Sequence, residues 1–389
     1  MSVTGPGGFS AAGIACGIKD SGALDLSLVA TSDGAPATAA AVFTQNRMTA
    51  APVRVCRAHL AATGGRAAAV VLNSGNANAA TGEAGLSHAR RMCAAVAEDL
   101  GCSSEEVLVC STGLIGIPLP IDVIEAGTAK LVAARDASAE AGAAAAEAIR
   151  TTDTHRKEAL VAAAGAVVGG MAKGAAMLAP NMATMLAVLT TDAEADPATL
   201  QRVLAAGVER SFNLLTVDGC TSTNDTVILF ASGSAGPVAA ADLATAVAGA
   251  CADLAGQMWH DAEGATKFVR VTVKGALSDA EALAGARRVA ESQLVKCSWY
   301  GADPYWGRIA SELGTAGIAF EPDRLSITYG GVEVCRSGVP VAHDEAALRN
   351  HMAGRHLTVV ADLGLGDGTD AVFTNDLTHA YVDENRGTS

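Results

Sequence analysis

The residues with the clearest chemical potential lie near the middle of the chain, where residues 171–186 read MAKGAAMLAPNMATML. Thr184 in this segment follows the small residue Ala183 and a Pro180-Asn181 turn signal. A threonine hydroxyl is a weak nucleophile unless a base lies beside it. Cleavage of the Ala183–Thr184 bond would supply that base, because Thr184 would then carry a free α-amine of unperturbed pKa about 7.7–8.0. On this pattern alone, Thr184 could equally be a β-branched core residue at the start of a strand.

The same hydroxyl could perform the cleavage. In the uncut chain it would attack the Ala183 carbonyl and form an ester, which water then opens. A side chain larger than the methyl group of Ala183 would crowd this tight geometry. The expected products are two polypeptides, residues 1–183 and 184–389. The second would begin with a threonine able to accept an acyl group.

Acyl transfer also requires a cradle for the oxyanion and an anchor for the substrate. Ser111-Thr112-Gly113 ends a predicted strand, and such a turn can aim backbone N–H groups and a hydroxyl at one point. An ordinary strand-end turn is the alternative that the sequence alone favours. Lys173 has apolar neighbours on both sides and could pair with a substrate carboxylate, although most lysines are solvated surface residues.

Nine ordered motifs extend this pattern from one end of the chain to the other. They read GFSAAGIACGIK (8–19), AVFTQN (41–46), NSGNANAATG (73–82), STGLIG (111–116), TTDT (151–154), STNDT (222–226), DAEGATK (261–267), DPYWGR (303–308) and DLTHAYVDEN (376–385). In order and approximate spacing they resemble the ornithine acetyltransferase family, the glutamate N-acetyltransferases. Such a set is a far more specific signal than the Ala-Thr dipeptide.

The resemblance implies a role for each candidate residue. It makes Thr184 the nucleophile released by self-cleavage after Ala183, and Thr112 and Gly113 the oxyanion hole. The substrate-binding residues that it implies are Thr151, Lys173, Thr184, Glu263, Asn385 and Ser389. Glu263 could hold the side-chain ammonium of ornithine, or it could be a helix-end carboxylate.

The reaction implied by the resemblance is a ping-pong acetyl transfer from N2-acetylornithine to glutamate in arginine biosynthesis. It requires no cofactor, and no sequence feature decides whether acetyl-CoA also serves as a co-substrate. A related N-acyl-amino-acid transferase or amidohydrolase of a specialised-metabolite pathway remains an alternative, as does an uncut binding paralogue. The fragments are expected to associate as an α2β2 heterotetramer.

The chain departs from the family pattern in three places. Tyr305 stands where members usually have asparagine, and Ala176 replaces a usual glycine. The ending after Asn385 is one residue shorter than usual, so Thr388 could take the part of Ser389. None of these changes affects the nucleophile.

Composition excludes several classes of function. The formal net charge is −14 with no basic run, which argues against a nucleic-acid partner. Nine cysteines without a Cys-x-x-Cys pair, and eight histidines without ligand spacing, predict neither a disulfide framework nor a metal site. The N-terminus lacks the features of a secretory signal, and no apolar run is long enough to span a membrane. We therefore expect a soluble, cytoplasmic protein.

The pattern of elements predicts an α+β protein. Helices are expected over 85–100, 196–211 and 239–262, and single strands over 106–110, 160–168 and 185–190. The resemblance implies a layered α/β/β/α sandwich, of the type found in self-processing aminopeptidases, over residues 1–280, and a smaller α/β domain over 281–389. The polar segments 73–78 and 222–226 could each line the site or simply support strand ends.

Overall fold

The computed structural model describes residues 2–163, 165–177 and 185–387. They form two compact units. The first unit comprises Met1–Asn213 with Cys220–Asp261, and the second comprises Leu214–Gly219 with Ala262–Ser389. The predicted nucleophile Thr184, its neighbour Ala183, and Thr388 and Ser389 at the C-terminus lie outside the described residues.

The strands of the first unit are β1 (Phe9–Ile14), β2 (Leu26–Thr31), β3 (Ala37–Phe43), β4 (Arg66–Ala67), β5 (Ala69–Asn76), β6 (Val107–Leu114), β7 (Lys157–Ala163), β8 (Ala166–Lys173), β9 (Leu186–Glu194) and β10 (Thr226–Pro237). Its helices are α1 (Ala51–Ala62), α2 (Gly82–Leu100), α3 (Ile121–Ala133), α4 (Ala139–Ala148), α5 (Pro197–Glu209) and α6 (Ala240–His260).

Two sheets pack face to face in the first unit. One has the strand order β1-β2-β5-β6, and the other has the order β4-β3-β10-β9-β8-β7. Alternate residues of the second sheet, such as Val188 and Phe230, join the core of the first sheet, and the rings of Phe9 and Phe230 meet edge to face at 6.3 Å. Helices α2, α3 and α4 pack on the first sheet, and α5 and α6 on the second. The predicted α/β/β/α sandwich is therefore confirmed.

Local sequence signals explain where the outer helices begin. Asp196 caps α5 by accepting the N–H of Thr199, and Pro197 occupies the first helical position. Ser138 caps α4 in the same way through the N–H of Ala141. Helix α2 ends at Gly101, whose positive φ of 77° suits glycine.

The region predicted as a single strand over 160–168 is a hairpin. Strands β7 and β8 pair antiparallel on either side of a turn that includes Gly165, whose φ is 91°. A continuous apolar run does not reveal a reversal of this kind, and the single-strand prediction was wrong. The difference matters because β8 continues to Lys173 and carries that lysine to the end of the sheet.

The second unit contains one sheet of strand order β14-β13-β12-β15-β11-β16. Its strands are β11 (Phe268–Ala276), β12 (Ser326–Tyr329), β13 (Val332–Arg336), β14 (Val339–Pro340), β15 (His356–Asp362) and β16 (Gly368–Asn375). Its helices are α7 (Asp279–Ala290), α8 (Gln293–Tyr300), α9 (Trp306–Leu313), α10 (Glu345–Ala353) and α11 (His379–Asn385).

Strand β11 lies between β15 and β16, so residues 262–280 belong to the second unit. The boundary expected at residue 280 therefore falls within the second unit. Trp299 and Tyr329 are fully buried in its core. In neither unit do the described residues include a helix that is both long and apolar enough to cross a membrane.

Candidate active site

Three strand termini meet at one end of the sandwich in the first unit. Strand β8 ends at Lys173, which pairs with Leu186 at the start of β9. Leu186 also pairs with Thr226 at the start of β10, because β9 and β10 run parallel. We call this the site end of the sandwich. Met185, the residue that follows the predicted nucleophile in the sequence, lies there and is 2% exposed.

The predicted oxyanion cradle lies near the end of β6, which runs parallel to β5. Thr112 is buried, whereas Gly113 is exposed and has a φ of 131°. A Cβ atom at position 113 would lie 2.3 Å from the carbonyl carbon of Gly75 on the neighbouring strand. Only glycine fits there, for reasons of both φ and space. The close approach of β5 and β6 therefore requires glycine at the position next to Thr112.

The segment 222–226 joins the ends of the two sheets. The Nδ2 atom of Asn224 donates to the carbonyl of Ala77 at 2.6 Å and to that of Ser111 at 2.9 Å. The Oδ1 atom of Asp225 accepts the N–H of Met185 at 2.9 Å. The segment therefore contacts both the residue before Thr112 and the residue after Thr184. Of the two roles left open for it, these contacts support a place at the site end.

Lys173 is 3% exposed and lies among buried carboxylates. Burial raises the pKa of Asp153, but the charges of Lys173 and Lys157, together with hydrogen bonds from Lys157 and the N–H of Gly174, lower it overall to about 2. The Oδ1 atom of Asp153 accepts from the N–H of Gly174 at 2.7 Å. Asp153 is thus ionised at neutral pH and holds the backbone directly after Lys173 in place.

Thr151 is fixed by the same carboxylate. Its N–H donates to Oδ2 of Asp153 at 3.1 Å. Lys157, which is fully buried, donates from Nζ to Oδ1 of Asp153 and to Oδ2 of Asp261, at 2.6 Å in each case. Buried charges are tolerated when they are paired and hydrogen-bonded in this way. The structure thus connects the predicted substrate residues Thr151 and Lys173 through Asp153.

The second unit contains the other two described candidates. Glu263 is 9% exposed, and its Oε2 atom accepts from Nδ2 of Asn385 at 2.8 Å. Asn385 is the last residue of α11, which is capped by Thr378 through the N–H of Tyr381. The Thr378 hydroxyl also donates to the carbonyl of Gly264 at 2.7 Å. Gly264 directly follows Glu263 in the sequence, so this bond fixes the start of α11 near Glu263.

The segment 73–78 and Tyr305 belong to the recognised motifs but have no assigned role, and both contact neighbouring residues. In the segment 73–78, the Nδ2 atoms of Asn73, Asn76 and Asn78 donate to backbone carbonyls of Asn76, Pro118 and Gly85 respectively. These contacts support the structural role that the sequence left open. Tyr305 is 55% exposed and lies under the guanidinium of Arg308.

Sequence reasoning missed three important side chains at the site end: Asp153, Lys157 and Asp225. The first and last stand in recognised motifs, TTDT and STNDT, so their positions were visible although their roles were not. Lys157 gave no signal, because a lysine four residues after an aspartate is usually a solvated surface residue. Its burial follows from the pairing of β7 with β8.

A wide cleft of about 950 Å³ lies at the opposite, or far, end of the sandwich. Its lining includes Ser32, Asp33, Glu194, Ser232 and Ser234. Ser32, Asp33, Glu194 and Ser234 are exposed, and Ser232 is partly buried. Within the described part of the chain, no three histidine, cysteine, aspartate or glutamate side chains gather as metal ligands would.

Comparisons with known proteins agree on one family. The model of the ArgJ family matches residues 10–387. The arginine biosynthesis bifunctional protein ArgJ of Thermobifida fusca is 47% identical over 99% of both chains. That of Mycobacterium tuberculosis is 48% identical over 99% of this chain and 96% of its own.

A crystal structure of ornithine acetyltransferase complexed with ornithine from Mycobacterium tuberculosis is 45% identical over 46% of this chain and 94% of that chain. Its TM-score is 0.42.

Proposed function

This chain belongs to the ArgJ family, and we propose that it is an acyltransferase that moves an acetyl group from N2-acetylornithine to glutamate. The observation that carries the proposal is the convergence at the site end. There the segment 222–226 contacts both the strand that carries Thr112 and Gly113 and the residue that follows Thr184, and β8 ends at the buried Lys173, which pairs with the start of β9. Our proposal places the reaction in arginine biosynthesis, the pathway for which the relatives are named.

The nucleophile in this proposal is the hydroxyl of Thr184 after cleavage of the Ala183–Thr184 bond. The free α-amine of Thr184 takes the hydroxyl proton as the oxygen attacks the acetyl carbonyl. The negative charge that develops on the carbonyl oxygen is stabilised by donors at Thr112 and Gly113. When the carbonyl re-forms, the bond to the ornithine nitrogen breaks, and the ammonium of Thr184 returns the proton to that nitrogen.

The second half-reaction repeats these steps with glutamate. Its neutral α-amine attacks the acetyl ester on Thr184, the same cradle holds the oxyanion, and the Thr184 oxygen leaves with a proton. The products are N-acetylglutamate and the free enzyme, so no cofactor is consumed. Acetyl-CoA could deliver the acetyl group by the same first step, with its thiol as the leaving group.

The two substrates share an α-amino-acid skeleton, which one set of anchors can hold. We propose that Lys173 pairs with the substrate α-carboxylate and that Thr151 supplies a polar contact beside it. Support comes from the contacts of Asp153, which fix the backbone at both residues. Glu263, held by Asn385, is proposed to receive the side-chain ammonium of ornithine. Ser389 is proposed as a further substrate-binding residue on the resemblance alone.

The assembly is also a proposal. Strands β8 and β9 pair directly, from Val168↔Thr191 to Lys173↔Leu186, so a cut at 183–184 need not separate the two fragments. We propose that they remain associated in a soluble cytoplasmic α2β2 particle. Light scattering of the purified protein should give a mass near twice that of the 38.8 kDa chain.

The decisive experiment for the reaction uses N-acetylornithine with and without glutamate. The transferase proposal predicts that ornithine is released continuously only when glutamate is present, in step with N-acetylglutamate. Without glutamate, release should stop after about one equivalent per site, as for an acyl-enzyme that accumulates. Continuous release that is indifferent to glutamate would instead identify an amidohydrolase. A parallel assay with acetyl-CoA and glutamate tests the additional co-substrate.

A further inference from the structure

Asn224 and Asp225 are adjacent buried residues. One contacts the strand that carries the proposed oxyanion cradle, and the other contacts the residue that follows the proposed nucleophile. Acyl transfer requires a fixed distance between the cradle and the nucleophile. Asn224 is 6% exposed, and Asp225 is fully buried. Both lie in the segment 221–225, directly before β10. Neither side chain has a part in the reaction as proposed above.

Asn224 fixes the strand that leads to the oxyanion cradle. Its Nδ2 atom donates to the carbonyl of Ser111, and that carbonyl belongs to the peptide bond between Ser111 and Thr112. The second proton of the same amide group goes to the carbonyl of Ala77 beyond the end of β5. One amide thereby holds the ends of both strands that build the cradle.

Asp225 fixes the backbone of the residue that follows the proposed nucleophile. Its Oδ1 atom accepts the N–H of Met185, which belongs to the peptide bond formed by the carbonyl of Thr184. The α-amine of Thr184 is separated from this peptide bond by a single Cα atom. The second carboxyl oxygen, Oδ2, is buried and has no hydrogen-bond partner among the described residues.

The segment that carries both side chains is itself held in place. The hydroxyl of Thr226 donates to the carbonyl of Asn224 at 2.9 Å. On the other side, the hydroxyl of Thr44 donates to the carbonyl of Ser222 at 2.7 Å, and Asn46 donates to that of Thr221 at 2.9 Å. Because this segment is held on both sides, it can keep its contacts, Ser111 and Met185, at a fixed distance from each other.

We propose that Asn224 and Asp225 are positioning residues that together set the distance between the Thr184 nucleophile and the Thr112-Gly113 cradle. The inference rests on the proposed function of Thr184. Neither side chain needs to touch the substrate. Each acts through the backbone that it holds, and a shift of about 1 Å in such a geometry can cost about 10²-fold in rate.

The surroundings of Asp225 disfavour its charged form. Burial raises the pKa of Asp225 well above its ordinary value, although the N–H of Met185, the charge of Lys173 and the hydroxyl of Ser222 oppose the rise. A carboxyl oxygen accepts the N–H of Met185 in either protonation state, so the bond that holds this backbone does not depend on the charge.

The test compares Asp225→Asn with Asp225→Ala in the full-length protein. Asparagine keeps an acceptor oxygen for the N–H of Met185, so self-cleavage and kcat should stay within about threefold of the natural protein. Alanine removes the acceptor, so kcat should fall by about 10²-fold while KM changes by less than about threefold. A variant that merely loosened the fold would not be rescued specifically by asparagine.

A matched control lies at the far end of the same sheet. Asp192 on β9 also accepts a backbone N–H, that of Val167, at 3.0 Å. Asp192→Ala removes the same kind of bond from the strand that begins at Leu186. It should lower the thermal midpoint without changing kcat or the extent of cleavage.

Asn224→Ala provides an independent test from the cradle side. It frees the carbonyl of Ser111 and should lower kcat by about 10-fold or more with KM nearly unchanged. Unchanged kcat in both Asp225→Ala and Asn224→Ala would overturn the proposal. Equal losses in Asp225→Asn and Asp225→Ala would also overturn it, because the carboxyl would then matter as a charge or an acid. If the natural protein neither cleaves at 183–184 nor transfers acetyl groups, the proposed function fails instead.

Discussion

The two ends of the sandwich in the first unit carry polar side chains in opposite ways. At the site end, Asp153, Lys157 and Asp225 are buried and directed at one another or at specific backbone groups. At the far end, Ser32, Asp33, Glu194 and Ser234, which line the 950 Å³ cleft, are exposed. There, Ser232 and Ser234 both bond the carbonyl of Gly7.

The proposed site thus lies where polar groups are buried and paired, and not at the 950 Å³ cleft. Burying a charge costs free energy unless the charge is paired. A cluster of buried charges at one end of the sandwich is therefore typical of a functional site. Exposed serines and carboxylates carry no such cost. We therefore expect substitutions at the site end to affect activity most.

The largest effect is expected at the nucleophile. Thr184→Ala should abolish both self-cleavage and acetyl transfer, because no hydroxyl remains to attack either carbonyl. Denaturing gels should show one full-length band, and turnover should fall by at least about 10⁴-fold. Cleavage at 183–184 in this variant would show that another group is the nucleophile.

Breaking the buried ion network at the site end should have the next largest effect. Asp153→Asn leaves Lys157 with one carboxylate in place of two, so the free energy of unfolding should fall by about 3–5 kcal/mol. Denaturant titration measures this loss. Asp122→Asn, which removes an exposed partner of Arg91, is the control and should cost less than about 0.5 kcal/mol. Similar losses in both variants would contradict the contrast between buried and exposed charges.

The same carboxylate predicts how stability depends on pH. The folded-state pKa of Asp153 is about 2, below its ordinary value of 3.8. The ionised form therefore stabilises the fold above about pH 4, and this contribution of about 2–3 kcal/mol is lost as the pH falls from 4 to 2. Asp153→Asn should flatten that part of the curve. An unchanged acid limb in thermal melts would show that Asp153 is not the group responsible.

A smaller, more selective effect is expected at Lys173. Lys173→Ala should raise the KM for both amino-acid substrates by about 10–100-fold, since it removes a charge-assisted bond to the α-carboxylate. Steady-state kinetics with N-acetylornithine and glutamate measure the change. Unchanged KM values would remove Lys173 from the substrate site.

The smallest effects should come from the far end. Ser232→Ala and Ser234→Ala each remove a hydroxyl that lines the far-end cleft, so kcat/KM should change by less than about twofold. The same kinetic assay checks this. A loss of kcat/KM as large as that in Lys173→Ala would show that the far-end cleft takes part in the reaction. It would contradict the contrast between the two ends of the sandwich.

Much of the fold and part of the site follow from the sequence. Helices α2, α5 and α6 lie where apolar spacing and caps predict them, because these signals are local. Gly165 marks the turn between β7 and β8 within an apolar run, and missing this turn hid the position of Lys157. The membership of β11 in the sheet of the second unit depends on pairing with β15 and β16, which lie about 90 residues later.

The resemblance to the family predicted Thr112, Gly113, Thr151 and Lys173 as site residues. The structure identifies the side chains that hold the backbone around them. Asp153 and Asp225 act on backbone N–H groups distant in sequence, those of Gly174 and Met185. Partnerships of this kind depend on which strand ends meet. No periodicity or spacing in a single sequence reveals them.

The central claim is most directly tested by mass spectrometry of the purified natural protein, combined with N-terminal sequencing. The account predicts two polypeptides, residues 1–183 and 184–389, the second beginning at Thr184 and gaining one acetyl group when N-acetylornithine is added without glutamate. A fully active single chain of 389 residues, or a second fragment that begins elsewhere, would contradict it.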